Sequence, residues 1–200
     1  MRPVSQVRNI TNEAINELPL GAYSGEVVVV SDPNQAHQAL HDINRHGCIG
    51  FDTETKPVFV KGRTNNVAIL QFATPERVYL FRLTSTGVTT QMKVLFENPD
   101  VLKVGVAIRD DIRGLQQLRG FTPRGFVELT ALTKAAGFEA EGLKKLTAMI
   151  LGFRISKSAQ TSNWEAPKLD ERQIVYAATD AWVCLRMYDV LKLPLVSETR

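Results

Sequence analysis

Short runs of apolar residues, each bounded by turn-forming residues, predict five β-strands in the chain. The runs are rich in Val, Ile, Leu and Phe, which suit the pleated and largely buried surface of a sheet. The third and fourth runs are separated only by a short turn that contains Pro75, so they are predicted to be neighbouring strands. The predicted strands are residues 25–32, 48–54, 66–74, 77–83 and 101–108.

Apolar residues that recur every three or four positions predict helices between and after the strands. The longest, residues 169–192, carries Ile174, Ala178 and Leu185 at helical spacing. Residues 126–137 have a mixed pattern and are predicted to be mostly helical. Because strands fill the first half and helices the last third, the pattern indicates an α/β fold. The other predicted helices are residues 34–47, 87–100 as far as Asn98-Pro99, 109–120 and 141–152.

The chain is predicted to form one domain with short ends. Its 200 residues suffice for one sizeable hydrophobic core and are too few for two comfortable domains. Residues 1–24 lack a strong period and are predicted to be an arm that packs on the surface. We expect the domain to span residues 25–192, followed by a C-terminal tail over residues 193–200.

The composition is that of a soluble globular chain, with 44% hydrophobic and 22% charged residues. A formal net charge of +3 permits a polyanionic partner without requiring one. Cys48 and Cys184 lie in apolar stretches and outside any C-x-x-C or Cys/His cluster, which favours reduced core thiols over zinc ligands. No apolar run approaches the length of a membrane span, and the polar N-terminus lacks a signal-peptide core. We therefore expect a cytoplasmic protein, or a nuclear one if the source is eukaryotic.

Two acidic residues follow a strand-like apolar run in the segment CIGFDTE. Asp52 and Glu54 are two positions apart, so they point to the same face of a strand. Neighbouring carboxylates repel, and each raises the pKa of the other unless a cation lies between them. Mg²⁺ and Mn²⁺ prefer such oxygen ligands. A solvent-exposed strand end is the alternative explanation for this short pattern.

Two further acidic features occur later in the chain. Asp110 and Asp111 follow the last predicted strand and begin a helix, where either could serve only as an N-terminal cap. Tyr176 and Asp180 are four positions apart on one face of the long final helix. An aspartate among the apolar residues of that helix is costly without a partner. A surface acid beside a tyrosine at the edge of the core is the alternative.

Taken in order, the three features resemble the DEDD 3′→5′ exonuclease family, tyrosine subtype, and within it the Werner-syndrome and ribonuclease D types. The resemblance runs from about residue 25 to about residue 192 and is carried by GFDTE, NVAILQFAT, VGVAIRDD, FVELT, TSNWE and YAATDA. It implies that residues 25–192 are a 3′-5′ exonuclease domain. It also implies an α/β, ribonuclease H-like fold with a mixed five-stranded sheet flanked by helices.

The resemblance also implies a role for each acid. Asp52, Glu54, Asp111 and Asp180 match the ligands of two divalent metal ions, Mg²⁺ or Mn²⁺, and Tyr176 matches the residue that orients the attacking water. The implied reaction is phosphodiester hydrolysis at the 3′ end of DNA or RNA, which releases nucleoside 5′-monophosphates. Neither a membrane nor an organic cofactor is implied. The implied catalytic residues are Asp52, Glu54, Asp111, Tyr176 and Asp180.

Nucleic-acid contacts are predicted in two polar segments. Residues 56–66 are rich in Lys, Arg and Asn and suit phosphate contacts, with an aromatic residue available to stack on a terminal base. Residues 154–164 add further basic residues near the last motif. Solvated basic loops are the alternative for both segments. The predicted contacts are Phe59, Lys61, Arg63, Asn65 and Lys157.

Three other functions remain open from the sequence. One is an RNA-processing exoribonuclease of ribonuclease D type, because the contacts that distinguish RNA from DNA are not legible here. Another is a catalytically silent nucleic-acid-binding module, although all four acids are present. The third is a haloacid dehalogenase-type phosphatase, since DTET resembles the D-x-D-x-T signature of that class. That hypothesis leaves Tyr176 and Asp180 unexplained.

Overall fold

The structure is a computed structural model that describes residues 8–60, 62 and 64–197, with side chains described as far as residue 192. A six-stranded sheet of order β1-β4-β3-β2-β5-β6 forms its centre. Strands β2, β3 and β4 pair antiparallel, whereas the three remaining strands run parallel to their neighbours. The strands are β1 Glu26–Val30, β2 Cys48–Thr55, β3 Val67–Ala73, β4 Arg77–Arg82, β5 Leu102–Gly105 and β6 Phe126–Glu128.

The predicted α/β fold with a mixed sheet is confirmed, and the sheet has one strand more than the five expected. The additional strand, β6, begins the segment 126–137 that was predicted to be mostly helical. It contains three residues and leads directly into a helix, so neither a two-residue nor a helical period can develop there. The segment is recognised as a strand only from its parallel pairing with β5, which the sequence pattern does not reveal.

Helices flank both faces of the sheet. The helix predicted over 87–100 starts later than expected, because Thr89 caps it by accepting from the Met92 N–H at 3.2 Å, and it ends before Asn98 as expected. A separate short helix precedes it and ends at Gly87. No helix in the described ranges is both long and apolar enough to cross a membrane. The helices are α1 Asn12–Glu17, α2 Pro33–Ile43, α3 Leu83–Thr86, α4 Thr90–Glu97, α5 Arg109–Leu118, α6 Leu129–Ala135, α7 Leu143–Leu151 and α8 Glu171–Ser197.

The two faces of the sheet are packed differently. On one face, aromatic residues of the strands meet α2, α4 and α5, and Phe51 and Phe72 are fully buried there. On the other face, α8 presents a row of alanines, including Ala177 and Ala181, to the sheet. These small residues let the backbone of α8 approach β2 closely at Gly50. The long helix is thereby fixed against the strand that carries the first acidic motif.

The described part of the predicted N-terminal arm packs along the same side of the molecule. The Gly21 N–H donates to the Arg154 carbonyl at 2.9 Å, and the Arg154 N–H donates to the Pro19 carbonyl at 2.9 Å. The Tyr23 N–H donates to the Thr179 hydroxyl of α8 at 3.0 Å. Helix α1, which precedes these contacts, lies beside the cleft described below.

We expect Gly50→Ala to destabilise the protein, because an added Cβ would overlap the carbonyl oxygen of Ala181 in α8. Overpacking of this kind costs about 1–3 kcal/mol, and each kcal/mol lowers the melting temperature of a domain this size by roughly 2–4 °C. The control is Gly47→Ala, because a Cβ there would meet nothing within 4 Å. Thermal unfolding of the two variants measures the difference. Equal melting temperatures would show that α8 does not depend on this close approach.

Candidate active site

Three carboxylates from two elements meet at the end of the sheet. Asp52 and Glu54 share one face of β2, and α8 brings Asp180 over that face. One oxygen from each carboxylate lies within 4.8 Å of the other two. The register of β2 against β3 shifts between Glu54 and Thr55, and such irregularities often redirect side chains beside active sites. The alternation of side chains along β2 therefore places Asp52 and Glu54 on one face, as the sequence predicted.

Burial and mutual repulsion make these carboxylates hard to ionise. Glu54 is 9% exposed and Asp180 is 5% exposed. Burial, followed by repulsion from Asp180 and Asp111, raises the pKa of Glu54 to about 9. Burial raises the pKa of Asp180 to about 7 and the pKa of Asp52 well above its usual range. Charged together, the three groups need a cation to compensate them.

The donor set suits a divalent metal ion. All three ligands are carboxylate oxygens, which hard cations such as Mg²⁺ and Mn²⁺ prefer. Among the described side chains, no Lys, Arg or His forms a salt bridge with Asp52, Glu54 or Asp180. The cross-strand neighbour of Asp52 is Gln71, whose buried amide has no hydrogen-bond partner within the described ranges. A buried cluster that lacks both a counter-charge and a partner for this amide fits a hydrated cation.

Asp111 approaches the cluster from another direction. It lies in the first turn of α5 and accepts a hydrogen bond from the Thr53 hydroxyl, which comes from the same strand as Asp52. Burial raises the pKa of Asp111, and the hydrogen bond from Thr53 opposes that rise. The charge of Asp111 in turn contributes to the raised pKa of Asp52. The structure thus places Asp111 close to the cluster but outside its tightest group.

The neighbouring Asp110 serves a different purpose. Its side chain is 89% exposed and pairs with Arg113 one turn further along α5, at 3.3 Å. It therefore faces solvent, as expected for an auxiliary acid at a helix N-terminus.

Tyr176 lies beside the cluster on α8. It lies one helical turn from Asp180, and its hydroxyl lowers the pKa of that carboxyl against the effect of burial. Burial, followed by the charge of Asp180, raises the pKa of Tyr176 above its usual range. The ring packs against the fully buried Trp164, with ring centroids 6.0 Å apart. Tyr176 is therefore a neutral hydroxyl held in a fixed orientation.

The cluster lies in a cleft of about 470 Å³ that is lined by both acidic and basic side chains. The acids that line it are Asp52, Glu54, Glu141 and Asp180, and lysines from α7 and from the loop after it line the same cleft. Asn12 of α1 contributes to the rim. Within the described ranges these lysines form no salt bridge, so their charge is available to an anion. The lysines are Lys144, Lys145 and Lys157.

The other predicted nucleic-acid contacts have different positions. Lys157 lines the cleft, whereas Phe59 is 88% exposed on the loop after β2 and does not line it. The Asn65 amide donates to the Lys56 carbonyl at 2.9 Å, so this side chain joins two parts of the same loop. Lys61 and Arg63 lie outside the described residues. Lys144 and Lys145 were missed, because only the placement of α7 brings them to the cleft.

Comparison with known proteins accounts for this combination of fold and site. Residues 27–195 match the family model described as 3′-5′ exonuclease. The chain belongs to the 3′-5′ exonuclease family. The acidic cluster and this family membership together indicate the use of a divalent metal ion.

Several relatives are similar to this exonuclease domain in sequence. The bifunctional 3′-5′ exonuclease/ATP-dependent helicase WRN of Mus musculus is 34% identical over 188 residues, which cover 88% of this chain and 13% of WRN. Exonuclease 3′-5′ domain-containing protein 2 of Drosophila melanogaster is 33% identical, over 81% of this chain and 29% of the relative. Ribonuclease D of Gluconacetobacter diazotrophicus is 28% identical, over 86% of this chain and 44% of the relative. The chain thus spans less than half the length of these relatives.

Solved structures share the ribonuclease H-like fold that the resemblance implied. The Nibbler EXO domain of Aedes aegypti has a TM-score of 0.79 and 26% identity, and the likeness covers 90% of this chain and 94% of that one. Ribonuclease D of Escherichia coli has a TM-score of 0.78 and 20% identity, and the likeness covers 86% of this chain and 46% of that one. The family match favours the exonuclease over the phosphatase hypothesis.

We expect the metal-free protein to lose stability as pH rises from about 5 to about 8. Glu54 and Asp180 have folded-state pKa values of about 9 and about 7, whereas unfolded carboxyls titrate near ~4. The folded state therefore holds more protons in this window, and stability falls as those protons are lost. Mn²⁺ compensates the charges, so its stabilising effect grows with pH and reaches about 2.7 kcal/mol at a hundredfold excess over Kd.

Thermal unfolding across this pH range, in EDTA and in Mn²⁺, measures both effects. Glu54→Gln should flatten the pH dependence in EDTA and reduce the stabilisation by Mn²⁺. Glu139→Gln removes one charge from an exposed position and serves as the matched control. A flat profile in EDTA for the unmodified protein would contradict this assignment of the buried carboxylates.

Proposed function

We propose that the chain is a metal-dependent 3′-5′ exonuclease of the tyrosine subtype, which removes nucleoside 5′-monophosphates from the 3′ end of a DNA or RNA strand. The observation that carries this proposal is the meeting of Asp52, Glu54 and Asp180 beside Tyr176 in a chain of the 3′-5′ exonuclease family. The DNA or RNA substrate and the subtype are part of the proposal.

The carboxylates would hold two ions, either Mg²⁺ or Mn²⁺. Asp52, Glu54 and Asp180 would hold one ion, and Asp111, which lies close to this group but outside it, would help to hold a second. Bound divalent cations lower the pKa of water and neutralise charge on a scissile phosphate. The protein contributes a preformed and partly buried set of oxygen ligands, so little rearrangement is needed when substrate binds.

Tyr176 orients the water that attacks the phosphate. It lines the same cleft as Asp52, Glu54 and Asp180, which places it at the edge of the carboxylate cluster. Its raised pKa excludes the tyrosinate at neutral pH, so the residue cannot serve as an efficient general base. A fixed neutral hydroxyl can instead hold a water molecule by hydrogen bonding. Packing against Trp164 limits the positions that the hydroxyl can take.

The lysines of the cleft bind the sugar-phosphate backbone. Lys144, Lys145 and Lys157 line the same cleft as the acids, so a phosphate bound there would meet these lysines as well as the cations that the acids would hold. Contacts of this kind fix the position of a strand and carry no sequence preference. RNA as substrate is supported by fold alone: a Trypanosoma brucei ribonuclease D solved in complex with RNA U12 has a TM-score of 0.74 at 18% identity.

Two further features accompany the proposal. We propose that the exonuclease domain spans residues 25–192, which is supported by the family match over residues 27–195. We also propose a cytoplasmic location, supported by the free thiols of Cys48 and Cys184.

A paired assay tests the function. DNA and RNA oligonucleotides of one sequence, labelled at the 5′ end, are incubated with Mg²⁺ or Mn²⁺. We expect stepwise shortening from the 3′ end that is abolished by Asp52→Ala and reduced about 10- to 100-fold in kcat by Tyr176→Phe, the range typical for residues that support a metal site. Asp110→Ala removes an exposed acid beside the site and is the matched control.

Each alternative predicts a different result in this assay. Tight binding without cleavage would indicate a silent binding module, and hydrolysis of a phosphomonoester alone would indicate a phosphatase. Shortening of RNA only would assign the ribonuclease D type. Equal cleavage by the unmodified protein and by Asp52→Ala would contradict the proposal.

We expect the lysines of the cleft to control how salt weakens substrate binding. Each phosphate contact that is lost should lower the slope of log Kd against log salt by about 0.7 for a single strand. Lys144→Ala, Lys145→Ala and Lys157→Ala, tested with Ca²⁺ to limit cleavage, should show this change. Lys93→Ala on α4, away from the cleft, is the control. Unchanged slopes in all three variants would show that the sugar-phosphate backbone of the substrate does not bind at these lysines.

A further inference from the structure

The turn that leads into α5 contains a strained residue. Ala107, between β5 and α5, has a φ of 60°, and it is the one residue other than glycine with positive φ within the described ranges. Side chains disfavour this conformation because Cβ crowds the backbone. Such strain persists only where surrounding contacts enforce it, and it is concentrated at functional sites. Ala107 lines the acidic cleft, two residues before the helix that carries Asp111.

Glu128 supplies the contacts that hold this turn. One carboxylate oxygen accepts from the Ala107 N–H at 3.0 Å, and the other accepts from the Ile108 N–H at 3.0 Å. The first oxygen also accepts from the Thr130 N–H at 3.0 Å, at the start of α6. Glu128 ends β6, which pairs with β5 so that Glu128 lies across from Gly105. The sheet therefore delivers this carboxylate to the turn.

The clamp controls the first turn of α5. The N-cap residue of α5 is Ile108, whose side chain cannot cap, and no side-chain cap is present on the helix itself. The Ile108 carbonyl accepts the first helical hydrogen bond, from the Ile112 N–H at 3.0 Å. Asp111 lies within that turn, where its carboxylate meets the Thr53 hydroxyl. A change in the backbone at residues 107–108 would therefore move Asp111 relative to Asp52.

We propose that Glu128 is a positioning residue for the exonuclease reaction, which holds the strained turn at Ala107 so that Asp111 faces the site formed by Asp52, Glu54 and Asp180. The inference rests on the proposed function. Glu128 does not itself line the cleft and acts through Asp111. The glutamine substitution tests this role well, because its single oxygen can accept from one of the two N–H groups while its NH₂ group faces the other.

Three comparisons of kinetic constants test the proposal. Glu128→Gln should lower kcat about 10- to 100-fold, the range typical for residues that support metal ligands, with KM for the oligonucleotide nearly unchanged. In the Ala107→Gly background the loss should shrink to about threefold or less, because glycine takes positive φ without support. In the Asp111→Asn background, Glu128→Gln should cause no further loss, because both changes act on one group.

A matched control separates positioning from general support of the fold. Glu97 also accepts from a backbone N–H distant in sequence, that of Thr122 at 2.9 Å, and it does not line the cleft. Hydrogen exchange measured by NMR should accelerate at Ala107 and Ile108 in Glu128→Gln and at Thr122 in Glu97→Gln. Only the first variant should lose kcat.

The binding of Mn²⁺, followed by electron paramagnetic resonance, separates this inference from the proposed function. Glu128→Gln should weaken Mn²⁺ binding by about the same factor as Asp111→Asn, whether or not the protein cleaves nucleic acid. If the unmodified protein binds Mn²⁺ in this way and cleaves no oligonucleotide, the proposed function fails and the positioning role stands. Faster exchange at Ala107 with unchanged kcat and Mn²⁺ affinity would overturn the proposal and leave Glu128 as a structural cap.

Discussion

The repulsion among three buried carboxylates is the constraint on which the rest of the structure depends. Asp52, Glu54 and Asp180 lie within 4.8 Å of one another and oppose folding whenever they are charged without a cation. The packing around them must therefore be strong enough to hold them together. The alanine row of α8 and the absence of a side chain at Gly50 provide that packing, because they let the helix backbone rest directly on β2.

The acidic and basic residues that share the cleft connect this constraint to function. The acids suit divalent cations, and the lysines that line the same cleft suit phosphates. In the proposed function, a strand of nucleic acid would bind in this cleft once bound metal has compensated the charge of the acids. The site thus lowers the stability of the metal-free protein, and bound cations and substrate would restore that stability. Lower stability in exchange for activity is common at active sites.

The parts of the site that depend on local periodicity could be predicted from the sequence. Alternation along β2 placed Asp52 and Glu54 on one face, and the four-residue spacing placed Tyr176 next to Asp180. The parts that depend on tertiary placement could not. Lys144 and Lys145 occupy an unremarkable helix start, and Glu128 ends a strand of three residues, too short to show a period. Asn65 has the composition of a phosphate contact, yet its amide bonds the Lys56 carbonyl, because composition does not determine direction.

Anomalous diffraction from crystals soaked in Mn²⁺ tests the central claim most directly. We expect a peak bounded by the carboxylate oxygens of Asp52, Glu54 and Asp180, and a second peak between Asp52 and Asp111 when a nucleotide is bound. The first peak should vanish in Asp180→Asn crystals, in which the fold is retained. Ordered, well-resolved side chains with no anomalous signal among them would contradict the claim that these acids exist to bind metal.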